Sequence, residues 1–260
     1  MKIRNILSAV MFMSIFTAMS AQNVTSEVKQ DGFQSSVKSV YSTMYEAYYN
    51  DNDDLLRGDI LERLQTEYNS KGQRKNMIYL STEEDIMFRS RYKHDGFGIT
   101  TLEQIVDNEE HVIGRTYFIY DENFVLTESY VEDAERQMEN RILYKYDGQG
   151  RLSQRSFNDP KNEIYKREVY NYNFDGTILK TVTYGRDGHK MNEIRYEYDD
   201  HKQVTSQTLY DYSEPETECF ITLYRYQYDN RNNWIQKTEY QVNGERIDPV
   251  YITEREIVYF

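Results

Sequence analysis

The sequence predicts an all-β protein of tandem antiparallel β-hairpin repeats, period 26, forming one long, twisted or partly rolled sheet. Two observations carry that reading. A tyrosine-rich motif recurs at fixed spacing, and the segments flanking each copy alternate apolar and polar residues.

The chain opens on a charged stretch, Met1-Lys2-Ile3-Arg4, runs through apolar residues from Ile6 to Met19 and reaches small residues at Ser20 and Ala21. This is the layout of a signal peptide over 1–21, cleaved near Ala21. It implies export to the periplasm or the extracellular space. The apolar run is short of the roughly 20 residues that cross a bilayer as a helix, and no second run follows, so no membrane span is expected. Without the leader, Lys+Arg falls from 31 to 29 against 44 Asp+Glu, a charge of −15. That balance argues against nucleic acid as a partner.

Residues 22–34 read as a polar tail and 35–260 as the repeat domain. Val37–Tyr41 and Met44–Tyr48 have strand composition, and an acidic loop follows at Asn50–Asp54. The apolar positions of Leu55–Leu64 have helical spacing and suggest a short helix, with strand pairing as the competing outcome. From Asn69 the repeat takes over. Its clearest copy is Tyr144-Lys145-Tyr146-Asp147-Gly148-Gln149-Gly150-Arg151-Leu152. The turn residues of successive copies are Asn69, Asp95, Asp121, Asp147, Asn173, Asp199 and Asp229, with five steps of 26 and a last step of 30 that absorbs an insertion around Ser213–Glu218.

Each copy reads as a hairpin. Ile194, Tyr196 and Tyr198 fall on one face of the incoming strand, with Arg195 and Glu197 on the other. Asp or Asn starts the turn because its side chain accepts from amides further along, and Gly or Asn follows where positive φ is needed. Ile178–Tyr184 is a β-prone outgoing strand. Looser connections such as Gly185–Gly188 and Asn158–Lys161 lead to the next copy. Glu256–Phe260 reads as a closing edge strand, with Glu254, Arg255 and Glu256 as charges that block edge pairing.

The units at 144–152, 196–199 and 226–234 resemble the YD repeats of Rhs-like bacterial surface proteins, and the likeness extends over about residues 64–245. The resemblance implies a bacterial exported or envelope-associated repeat protein. In Rhs-type proteins such hairpins join into a spiralling sheet, sometimes a shell around a toxic C-terminal domain. This chain is shorter than a full shell and shows no such domain.

Catalytic motifs are missing from the sequence. There is no Gly-x-Ser-x-Gly, Walker loop or His-Glu-x-x-His. His94, His111, His189 and His201 sit near turns without ligand spacing, and His94 takes the tyrosine slot before Asp95. Turn aspartates of neighbouring hairpins stand about 10 Å apart, too far to share a calcium ion, and Asp51–Asp54 lacks the Gly and Glu of an EF-hand loop. No cofactor or metal is expected. Cys219 is the single cysteine and reads as a partly buried small hydrophobe.

The candidate ligand-facing residues are Tyr92, Phe118, Tyr144, Tyr170, Tyr196, Tyr226 and Trp234. The first six precede the turn residue by three and line one face as packing. The alternative is a concave tyrosine platform that binds a glycan. An outer-membrane barrel is set aside because charges on one strand face and tyrosines on the other leave no continuous apolar band. The expectation is a non-enzymatic binding or scaffolding protein at the cell envelope, with a protein or glycan partner.

Overall fold

The computed structural model describes residues 26–213 and 217–260. The leader expected at 1–21 lies outside them, as do residues 22–25 and part of the insertion, 214–216. The elements are a short helix α1 (Glu27–Gln30) and sixteen strands: β1 (Val37–Tyr49), β2 (Leu55–Tyr68), β3 (Arg74–Leu80), β4 (Ile86–His94), β5 (Thr100–Asp107), β6 (Val112–Tyr120), β7 (Leu126–Asp133), β8 (Met138–Tyr146), β9 (Leu152–Asn158), β10 (Ile164–Tyr172), β11 (Ile178–Gly185), β12 (Lys190–Tyr198), β13 (Val204–Asp211), β14 (Glu218–Tyr228), β15 (Trp234–Asn243) and β16 (Arg246–Tyr259).

Every strand pairs with its neighbours in sequence, and β16 pairs antiparallel with β1, so the sheet closes into a sixteen-strand barrel. Closure overturns the expected open sheet. It also corrects the Rhs-like reading: the hairpins that implied a spiralling sheet form a ring instead. Glu256–Phe260 is not an edge, since Val40, Tyr41, Ser42 and Thr43 pair with Ile257, Glu256, Arg255 and Glu254. A two-sided strand has no free edge for charges to protect. Glu254 instead forms an ion pair with Arg57 at 2.6 Å.

The helix expected at Leu55–Leu64 is also overturned. That segment belongs to β2, which pairs with β1 on one side and β3 on the other. A ten-residue helix is marginal by itself, and the ladder to β1, joined at Arg63 and Leu64 by that to β3, outweighs its propensity. Cys219 is exposed, because it faces away from the residues that pack inside.

Two further expectations fall with the open sheet. The absence of a membrane span, and free residence in the periplasm or outside the cell, both presumed a sheet that could not cross a bilayer. A closed antiparallel barrel is the β architecture that can. Among the described residues no helix is long and apolar enough to cross a membrane, which says nothing of strands.

Both rims are built from one device. Asp147 Oδ1 accepts from the amides of Gln149 and Arg151 at 2.8 and 2.9 Å, and Asp159 Oδ1 at the opposite rim accepts from Lys161 and Glu163 at 3.0 and 2.9 Å. The residue two positions before the strand resumes has positive φ. Glycine fills this slot at Gly98, Gly150 and Gly176, whereas Phe124, Lys202 and Asn232 hold the same conformation with a side chain.

Candidate functional site in the barrel lumen

The N-terminal segment identifies the inner face. Residues 26–36 contact β2, β3, β4, β5 and the β14–β15 turn, which only a segment on the concave side can reach together. Val28 N–H donates to Gly72 O at 3.0 Å, and Gln34 N–H to Asn233 Oδ1 at 2.8 Å. The Glu27 carboxylate accepts from the Arg74 amide, lies 3.0 Å from His94 Nε2 and accepts from Thr100 Oγ1 at 2.6 Å. Asp31 accepts from the Tyr68 hydroxyl and is paired with Arg74. Val28 and Phe33 are buried with Val37, Val40 and Tyr68. Apolar burial of Val28 and Phe33 and the fixed carboxylates of Glu27 and Asp31 hold the segment against the inner wall at the rim of Asn69, Asp95 and Asp229.

His94 and Tyr68 are in phase with the tyrosines of their strands, so the tyrosine face is the lumen wall. Register follows it around the ring: Phe88 opposes Tyr79, Tyr92 opposes Glu103, Tyr144 opposes Arg155 and Tyr170 opposes Thr181. Tyr92, Phe118, Tyr144, Tyr170, Tyr196 and Tyr226 therefore all line the lumen. Tyr170 is the most enclosed at 6% exposure, and none of the six is exposed. Trp234 joins them with its ring 6.0 Å from that of Tyr226. An enclosed wall replaces the open concave platform, so the glycan-platform reading is overturned along with the scaffold one.

At four turns the tyrosine that directly precedes the turn has a separate task. Tyr120, Tyr146, Tyr172 and Tyr198 donate to the carbonyl oxygens of Thr100, Leu126, Leu152 and Ile178 at 3.0, 2.8, 2.6 and 2.9 Å. Each acceptor opens the outgoing strand of the previous hairpin, beside a register shift next to the turn. The tyrosine satisfies a carbonyl there, so this position of the motif bonds as well as packs.

Deeper in the wall, polar groups were not foreseen. Arg155 donates to Glu168 Oε2 through Nε and Nη2 at 3.0 and 2.6 Å, Tyr170 donates to the same oxygen at 2.7 Å, and Lys166 lies 3.0 Å from Oε1. Tyr92 donates to Glu103 at 3.0 Å, and Lys237 pairs with Glu239 at 2.7 Å. Their signal in the sequence is phase: Lys166 and Glu168 are two-residue steps from Tyr170, on the tyrosine face.

The outer face has its own period. Arg63, Arg89, Arg115, Arg141 and Arg167 stand 26 residues apart, alternate with lumen residues and project outward. Arg63 pairs with Glu84 at 2.9 Å, Arg89 with Glu110 at 3.1 Å and Arg141 with Glu128 at 2.6 Å. Each of these partners is supplied by a connection or by the neighbouring strand.

Among the described residues there is no group of His, Cys, Asp and Glu that could hold a metal ion. The free cysteine is isolated on the outer surface.

No family model matches the chain, and no curated protein matches it. Among solved structures, the fold is similar to that of a porin-like protein from Bacteroides uniformis. The TM-score is 0.57 at 8% identity, covering 85% of this chain and 98% of that one. The chain has a porin-like fold. A complex of TcdB2, TccC3 and Cdc42 aligns over 79% of this chain and 14% of that one at 12% identity, with a TM-score of 0.29, too low to bear on the fold. The barrel likeness thus takes the place of the Rhs-like one.

Proposed function

We propose that the protein is a transport-type barrel that works through its lumen, admitting a polar solute along a wall of tyrosine hydroxyls and ion pairs. The observation that carries this reading is the closed wall with polar groups on its inner face; residues 26–36, held inside one rim, act in this reading as its plug. A polar interior belongs to barrels that hold water, and an all-apolar one would pack solid. The porin-like fold supports the same class of activity.

The test is solute flux across a bilayer. Purified full chain is reconstituted into liposomes, vesicle association is measured by flotation, and swelling is followed in a small sugar. Wild type is compared with Glu27→Ala, which removes the acceptor that fastens the plug to Arg74, His94 and Thr100. The expected result is co-flotation, low flux in wild type and flux raised several-fold in the variant. The outer arginines make the flotation arm stringent, because each Arg facing the bilayer midplane costs about 2–4 kcal/mol. Failure to float, or no flux in either form, would overturn the reading.

A further inference from the structure

Among the described residues, Arg255 is the lumen cation without an ion-paired carboxylate. Arg74 is paired with Asp31, Arg155 and Lys166 share Glu168, and Lys237 is paired with Glu239. Arg255 instead lies with its guanidinium carbon 3.3 Å from the Trp234 ring centroid and 5.3 Å from that of Phe33. Its Nε is buried with no hydrogen-bond partner. Its neighbours along the strand cannot neutralise it, since they alternate to the outer face, where Glu254 engages Arg57 and accepts from Gln236 at 2.9 Å. Asp31 is already committed to Arg74 and Tyr68.

A guanidinium largely removed from water, stacked on aromatic rings and left without a carboxylate is costly to the fold. Stacking on Trp234 recovers part of that cost and fixes the plane of the group. A planar fork of N–H donors is matched by two oxygens of one carboxylate or phosphate. We propose that Arg255 anchors an oxyanion site in the lumen, beside the plug, that takes the carboxylate or phosphate group of a small solute. The proposal narrows the solute of the transport reading above, on which it rests, to an anionic one.

Trp234 is the single tryptophan of the chain and touches Arg255, so its emission reports on the site without a bilayer. The full chain, solubilised in detergent, is titrated at constant ionic strength with succinate, inorganic phosphate and glucose. A saturable change with succinate or with phosphate, and none with glucose, is expected, and the responding anion identifies the group. Arg255→Gln should weaken the response at least tenfold, and Arg255→Lys, which keeps charge but not the fork, should fall between. No saturable change with either anion would overturn the proposal, as would a change that sodium chloride reproduces. So would equal affinity in wild type and Arg255→Lys, a comparison that remains available if Arg255→Gln fails to fold. Loss of flux with an intact titration removes the channel and leaves the site; flux without a titration does the reverse.

Discussion

Tyr172 donates its phenolic hydrogen to the carbonyl oxygen of Leu152 at 2.6 Å, and one repeat earlier Tyr146 does the same to Leu126 at 2.8 Å. The bond joins adjacent hairpins rather than the two strands of one, so it holds the ring together near the rim. Tyr172→Phe keeps the ring and removes the bond. The variant should lose about 1 kcal/mol, and the Tyr146→Phe, Tyr172→Phe pair about twice that. Urea denaturation followed by circular dichroism reads both, and unchanged midpoints would show the bond to be neutral.

Glu168 is the shared acceptor of Arg155, Lys166 and Tyr170. Glu168→Ala leaves two cations facing each other inside the wall and should cost about 3 kcal/mol. Arg155→Met with Glu168→Met should recover much of the loss, because it removes charge from both sides. A double variant less stable than Glu168→Ala would contradict this account.

Backbone amides of Arg151 and Gln149, with the Arg151 side chain, hold the Asp147 carboxyl below the usual carboxylate range. The Glu163 amide acts in the same way on Asp159 at the other rim. A carboxyl depressed in the fold stabilises it above the ordinary value of about 4 and loses that contribution as pH falls through the folded value. Protection of the Gln149 and Arg151 amides, measured as the exchange rate relative to the intrinsic rate at each pH, should therefore fall below about pH 4. Asp147→Asn, whose amide oxygen accepts without titrating, should abolish the acid step at that turn. Asn69 already occupies this position and makes the same bonds.

The plug is fastened by carboxylates and by two apolar side chains, so its release should be local. Glu27→Ala is expected to speed exchange at the Val28 amide and open residues 26–36 to proteolysis. The strands should keep their protection, since their ladders do not pass through Glu27. Loss of protection across the whole barrel would show that the plug is part of the folding core.

Much of the wall was legible because its signals are local. The step of 26 residues, the Asp or Asn at each turn, and the phase of Tyr144 with Tyr146 were all visible without coordinates. Closure was not, because it depends on β1 meeting β16, and no pattern within either strand specifies its partner. Glu254 and Glu256 illustrate the ambiguity: outward charges on a paired strand and protective charges on an edge read alike. The lumen was half legible. Tyr92, Tyr170 and their equivalents were found as one face, but Arg155 was passed over and Arg255 was read as an edge-blocking charge, because charge was assigned wholesale to the other face. The outward arginines share the tyrosine period and were overlooked for the opposite reason, since charge on an outer face attracts no notice.

The seam between β1 and β16 sets the kinetics of assembly. Pairs such as Val40 with Ile257 join positions separated by the other fourteen strands, whereas every other ladder joins sequence neighbours. Hairpins can zip early and independently, but the seam must wait for a long loop to close, and such contacts are slow to form. Until then both ends of the sheet offer unpaired amides and carbonyls to any other chain. The ring is vulnerable to aggregation in the interval before closure, and its half-life there should shorten as protein concentration rises.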